Sequence, residues 1–169
     1  MSLPFSDNRF DVAVMALVIF FVPDPAVGVA EMARVVRPGG MVAAYAWDML
    51  GGGFPFDPIQ AELRAVGIEP LLPPSVSASR MEALRNLWTG AGLKSVQIRE
   101  ITVQRTFADF DDFWRLSTMS GGIRPTLAAM GSRDVERLRD RVRARLPADA
   151  AGRITYVARA HAVKGSVPH

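Results

Sequence analysis

The sequence predicts an α/β fold on a mostly parallel sheet, and three observations carry that prediction. Phe10 to Val22 is an apolar run in which only Asp11 is charged. Asp24-Pro25 then opens an amphipathic stretch, Ala26 to Val36, which Arg37-Pro38-Gly39-Gly40 closes. Met41 to Trp47 is a second apolar run. Strand, helix, glycine turn and strand in that order make a βαβ unit. Strands without polar alternation belong in a parallel sheet covered on both faces.

Each element follows from local chemistry. Ser6-Asp7-Asn8 is a turn ahead of the first strand. Asp24 suits a helix N-cap and Pro25 the first helical position. Val29, Met32, Ala33 and Val36 recur at the spacing of one buried helix face. Pro38 takes Arg37 out of helical geometry, and Gly39-Gly40 makes a tight return. Met49 to Pro58 reads as a loop, Pro58 to Val66 as a helix and Leu71 to Val76 as irregular. Ser79 and Glu82 form a capping box for a helix with Met81, Leu84, Leu87 and Trp88 on its apolar side. Leu93 to Phe107 is strand-like, and its alternation changes phase near Glu100, as at a bulge. Asp109 to Ser117 is a short aromatic helix. Ser132 to Leu146 is a helix with Val135, Leu138, Val142 and Leu146 inward, and Arg153 to Val163 is a closing strand.

Bulk properties bound the function. The 169 residues suffice for one domain with a core, taken as 1–165 with 166–169 as a disordered tail. Without cysteine there is no disulfide framework and no thiolate metal site, and His161 and His169 are too few for a histidine-built metal centre. The net charge is only +3; six arginines cluster from Arg133 to Arg145, with Asp134, Glu136 and Asp140 interleaved. That pattern reads as a solvated helix face rather than a nucleic-acid patch. The N-terminus lacks the basic flank and cleavage site of a signal peptide, and Val12 to Val22 is too short to cross a bilayer. The expectation is a soluble, cytoplasmic protein without a nucleic-acid or membrane partner. Its wealth of Arg, Ala, Gly and Pro suggests a bacterial genome rich in GC.

The stretch LPFSDNRFDVAVMALVIFFVPDPAVGVAEMARVVRPGGMVAAYAWD, Leu3 to Asp48, closely resembles the middle of class I S-adenosylmethionine (SAM)-dependent methyltransferases of the small-molecule, type 11-like kind. In that family it forms the fourth strand, the next helix and the fifth strand. The resemblance implies a truncated doubly wound, Rossmann-like sheet, mostly parallel with an antiparallel last strand. It also implies the spatial order fourth, fifth, seventh, sixth of the parent fold. The family's glycine-rich SAM loop and ribose-binding acid precede the matched block, so a C-terminal half is expected. Alone it would bind SAM weakly or not at all. The implied parent reaction is methyl transfer from SAM to a small molecule. The alternative is a non-catalytic dimerising or binding module derived from such an enzyme.

The resemblance also implies site residues. Leu3 and Phe5 would border the adenine; Ala16 and Leu17 would lie under the methionine arm, and Phe20 beside the sulfonium. Phe20 reads equally as plain core. Leu17 and Phe20 are expected to face the cofactor side, with Val12 and Val14 against helices. Trp47 and Asp48 stand at the carboxyl end of a parallel strand, where ligands bind in open α/β sheets. Asp48 is able to accept a substrate proton or to cap the next turn. Phe113 and Trp114 would line an apolar substrate pocket or bury a helix. His161 reads as structural. Gly51-Gly52-Gly53 reads as a lid or linker, because no helix N-terminus follows it. No catalytic constellation is present, and methyl transfer needs little beyond positioning. In the whole fold the matched first strand pairs with a strand that precedes it. Asp11 to Val18 would therefore expose an apolar edge, and a homodimer joined there, antiparallel about a two-fold axis, is expected.

Overall fold

The computed structural model describes residues 2–119 and 122–169. The elements run β1 (Phe10–Ala16), a 3₁₀ turn (Ile19–Phe21), α1 (Pro25–Val35), β2 (Val36–Trp47), α2 (Asp57–Ala65) and a second 3₁₀ turn (Val76–Ser79). They continue α3 (Met81–Gly90), β3 (Lys94–Phe107), α4 (Phe110–Thr118), α5 (Arg124–Ala128), α6 (Ser132–Arg145) and β4 (Ile154–Ser166). The sheet order is β1-β2-β4-β3. β1 and β2 are parallel, and β4 lies antiparallel to β2. This is the α/β sheet the sequence predicts, with its last strand reversed.

Local chemistry explains most boundaries. Oδ1 of Asp24 accepts from Val27 N–H at 3.1 Å, and Pro25 opens α1. Asp109 caps α4 in the same way, accepting from Asp112 N–H at 2.8 Å. In β3 the half-buried positions pass from Val96 and Ile98 to Ile101, the phase change read from the sequence.

Three readings change. Arg37-Pro38-Gly39-Gly40 lies inside β2, not between helix and strand. Gly39 takes φ +76°, and the pairing with β1 slips between Phe10 and Val12, so the expected return is a bulge. Gly39 and Gly40 exchange backbone hydrogen bonds with Val167, a residue the sequence reading gave to the tail. Ser79 does not cap α3. Arg80 holds the N-cap position, and Ser79 Oγ donates to Val76 O at 2.7 Å, because a 3₁₀ turn already occupies 76–79.

The chain divides into two compact units: residues 1–54, 73–102 and 159–169 in the first, 55–72 and 103–158 in the second. The first unit's core holds Val42, Ala44, Ala46 and Val163 from the strands, Val29, Met32 and Val35 from α1, and Leu84 and Trp88 from α3. Trp88 is fully buried, and its Nε1–H donates to Val42 O at 2.9 Å. The second unit's core gathers Ile59 and Leu63 of α2, Phe110 and Phe113 of α4, and Leu138 and Val142 of α6.

The strand faces reverse one expectation. Ala13, Met15 and Leu17 pack against the core that holds α1 and α3, whereas Val12 and Val14 are 51% and 58% exposed. Phe20 is 3% exposed and belongs to that same core. Leu17 takes φ +56° and a 3₁₀ turn follows at once, so the chain swings Ile19 and Phe20 inward and leaves Phe21 outside. No helix among the described residues is long and apolar enough to cross a membrane.

Candidate functional site

The parallel pair β1–β2 sets its carboxyl ends side by side, Ala16 opposite Tyr45. Beyond β1, Leu17 N–H donates to Tyr45 O at 2.8 Å, which holds Leu17 in its left-handed conformation. The segment before β1 is tied to α1. Leu3 N–H donates to Oε2 of Glu31 at 2.8 Å, and Arg34 donates to the carbonyls of Leu3 and Phe5 and to Oδ1 of Asp7. Arg34 also pairs with Glu31 at 2.8 Å. The hydrogen bond from Arg34, then that from Leu3, hold the Glu31 carboxyl down to about 2. The ring of Phe5, edge-on to Phe10 at 5.0 Å, stays exposed.

Of the five residues assigned to the cofactor, Leu3 and Leu17 are half-buried and Phe5 and Ala16 exposed; Phe5 stands against Phe10 at the start of β1, whereas Ala16 and Leu17 close it. Phe20 is withdrawn into the core. All four side chains are apolar. The amides of Leu3 and Leu17 and the carbonyls of Leu3 and Phe5 are already bonded within the chain.

At the end of β2 a polar knot surrounds Asp48, which is 5% exposed. Its Oδ1 accepts from Gly51 N–H at 2.8 Å, the turn cap foreseen as one of its two roles. Its Oδ2 accepts from Nε of Arg159 at 3.0 Å and also from Nη2. Asp48 N–H donates to Arg159 O, Gly53 N–H to Asp48 O, and Arg159 N–H to Gly53 O. A Cβ on Gly51 would stand 2.3 Å from Oδ2 of Asp48, and one on Gly53 would stand 2.9 Å from Arg159 O. The glycine triplet is therefore neither lid nor linker. Its small residues let the turn close on the carboxylate. Asp48 raises the affinity of Arg159 for its proton.

His161 is buried beside this knot, with Nδ1 2.8 Å from Ser79 O and Nε2 3.9 Å from Oδ2 of Asp48. It sits opposite Ala46 in the β2–β4 pair. Trp47, opposite Ala160, is half-buried against the first core. Phe113 and Trp114 belong to the second unit. Phe113 is fully buried there, edge-on to Phe107 at 5.1 Å, and Trp114 packs at the margin of that core. Sequence reasoning missed Arg159 entirely and the partnership of His161 with Asp48. Arg159 lies 111 residues from Asp48, and only the β2–β4 pairing joins them.

Residues 1–44 match the family described as Methyltransferase domain. The chain is 52% identical to a demethylmenaquinone methyltransferase of Desulfitobacterium hafniense over 44 residues, 26% of this chain and 17% of that protein. It is 38% identical to an uncharacterized protein of Mycobacterium tuberculosis over 50 residues, 30% of this chain and 18% of that one. The matches thus span less than a fifth of the length of these curated relatives. Among solved structures, a candidate methyltransferase from Bacillus halodurans aligns with a TM-score of 0.56 at 14% identity, covering 99% of this chain and 74% of its own. The resemblance to methyltransferases holds at the N-terminal block, and the fold is shared along the whole chain.

Proposed function

We propose that this chain serves methyl transfer from S-adenosylmethionine to a small molecule. Leu3, Phe5, Ala16 and Leu17 would border the donor, and Trp47 and Asp48 the acceptor. The observation that supports this reading is the parallel β1–β2 pair, whose carboxyl ends carry Ala16 and Leu17 on one strand and Trp47 and Asp48 on the other. Leu3, Phe5, Ala16 and Leu17 sit within residues 1–44, which match the methyltransferase family, and Trp47 and Asp48 follow just beyond it. In open α/β sheets ligands lie beyond the carboxyl ends of the strands. The donor supplies an activated methyl group when bound. The chain's own task is to place the acceptor and exclude water. Because the four wall residues present apolar surface and no charged partner, S-adenosylhomocysteine should bind in the millimolar range. Titration followed by amide shifts tests this. Saturating shifts at Leu3, Phe5, Ala16 and Leu17 are expected, and shifts absent there or confined elsewhere would overturn the reading.

A second reading concerns assembly and rests on the free edge of β1. β1 is the terminal strand of the sheet, and Val12 to Val18 carries no charge, glycine or proline to protect it. The charged neighbours Arg9 and Asp11 lie at one end, so a two-fold antiparallel pairing of two such strands keeps like charges apart. We propose a homodimer through this edge. Light scattering should give a dimer that Val14→Lys converts to monomer or precipitate. A wild-type monomer at high micromolar concentration would rule the dimer out.

A further inference from the structure

The sheet of the first unit has two unlike faces. One buries Val42, Ala44 and Ala46 of β2 and Val163 of β4 in the core. The other carries the alternate residues of the same strands, Met41, Ala43 and Tyr45 of β2 with Ala162 and Lys164 of β4. On that face Met41 and Tyr45 stay 42% and 37% exposed. A hollow of about 380 Å³ opens there across β2, β4 and β3, a volume in the range of small-molecule sites. It exists because side-chain heights differ. Ala43 and Ala162 project only methyl groups, whereas Tyr45, Arg99 and Lys164 stand around them. Ile101 adds apolar surface, because the phase change in β3 turns it away from the core that receives Val96 and Ile98.

The charge of the hollow has one sign. Arg99 and Lys164 line it, and no carboxylate does. Neither cation makes a side-chain hydrogen bond or an ion pair among the described residues. Glu100, the acid next to Arg99, is engaged elsewhere, with Oε2 3.4 Å from Nε of Arg159. Tyr45 stands opposite Ala162 and Lys164 opposite Ala43, so ring and ammonium are diagonal neighbours about 7–8 Å apart on one face. Exposed apolar surface beside two unneutralised cations complements a molecule with an apolar body and one anionic end. Strand amides lie in the plane of the sheet, bonded to neighbouring strands, and no cluster of backbone N–H groups is aimed into the hollow as a phosphate group would need. A guanidinium with an ammonium suits a carboxylate.

We propose that this hollow binds a small apolar carboxylate, with its head between Arg99 and Lys164 and its body over Ala43, Ala162 and Ile101 beside the Tyr45 ring. The site lies wholly in the first unit and does not depend on the methyl-transfer reading. A homodimer joined at the edge of β1 leaves it open, since β1 neighbours only β2. A second copy laid on the face would bring the same two cations rather than a counter-charge.

Four probes separate the contributions, each titrated while the amides of Ala43, Ile101 and Ala162 are followed by resonance. Phenylpropionate should shift them saturably. Phenylpropanol has the same body without the charge, and propionate the charge without the ring; each should bind about tenfold more weakly or less. Phenylpropylamine, which reverses the charge, should leave the signals in place. Arg99 and Lys164 are exposed, so their replacement spares the core. Arg99→Met and Lys164→Met should each weaken phenylpropionate about fivefold, the size of one exposed charge pair, and leave phenylpropanol unchanged. The double variant should erase the preference between the two. Ala162→Leu fills the hollow and should abolish the response to both. Equal binding of phenylpropionate and phenylpropanol, shifts confined to other amides, or no saturable shift would overturn the proposal. A response to phenylpropionate that fades as protein concentration rises would assign the face to a second copy and overturn it as well.

Discussion

The two units hold a buried carboxylate in opposite ways. In the first, Asp48 sits between two adjacent strands, and backbone amides, two glycines and a single arginine close around it. In the second, Glu62 of α2 is just as buried but is held by side chains alone, Arg141 and Arg145 of α6, one turn apart on the same helix. Arg141 first, and then Arg145, keep the Glu62 carboxyl below its ordinary range. The cores differ too: the first packs Val, Ala, Met, Ile and Leu around Phe20 and Trp88, and the second sets three rings, Phe107, Phe110 and Phe113, among Ile, Leu and Val. A sheet positions polar groups through its hydrogen-bonded backbone. A helical unit must use long side chains, because helix backbones are already satisfied.

That comparison can be broken most sharply at the two largest core side chains. Trp88→Ala should destabilise by about 3–5 kcal/mol, since it removes a fully buried ring and strands the Val42 carbonyl, and Phe113→Ala should cost about the same. Hydrogen exchange is the useful measurement. Trp88→Ala should strip protection first from β1 and β2, and Phe113→Ala first from α4 and α6. If both variants deprotect the same amides, the distinction between the units has no energetic meaning.

The carboxylates come next. Gly53→Ala places a methyl group 2.8 Å from Cβ of Arg159 and 2.9 Å from its carbonyl oxygen, contacts that backbone cannot readily yield. Denaturant melts should show a loss of about 1–3 kcal/mol. Glu62→Gln removes the charge between Arg141 and Arg145. Those arginines are about half exposed and can turn to water, so the loss should fall near the low end of about 1–3 kcal/mol. A Glu62→Gln loss exceeding that of Gly53→Ala would show that side-chain ties are the stronger of the two.

The smallest effect is a pH effect at the N-terminal segment. The folded Glu31 carboxyl is lowered to about 2 from an ordinary 4.5 by Arg34 and by the Leu3 amide. A lowered carboxyl stabilises the fold above its unfolded value, and that contribution fades as pH falls through the folded one. The Leu3 amide should therefore stay protected down to pH 4 and lose protection between there and pH 2. Arg34→Met should move that loss upward toward pH 4.5. An unchanged profile in the variant would mean that Arg34 is not what holds Glu31.

The sequence by itself determined the elements whose signals are local and redundant. Asp24-Pro25 with the 3.6-residue spacing of Val29, Met32 and Val36 dictated α1, and the unbroken apolar runs dictated β1 and β2. The reversed last strand followed from the family resemblance of the same block. What the sequence left open were matters of direction. Which face of β1 meets the helices depends on the turn at Leu17, whose positive φ has no signature in a leucine. Phe20 and Val12 consequently exchanged the environments expected of them. The site was half legible. Asp48 was marked by its place at a strand end and Leu3 by the family wording. Arg159 and His161 are ordinary residues of a distant strand. Only the antiparallel addition of β4 beside β2 carries them across more than a hundred residues to Asp48, because register is a property of two paired backbones and is written in neither strand alone.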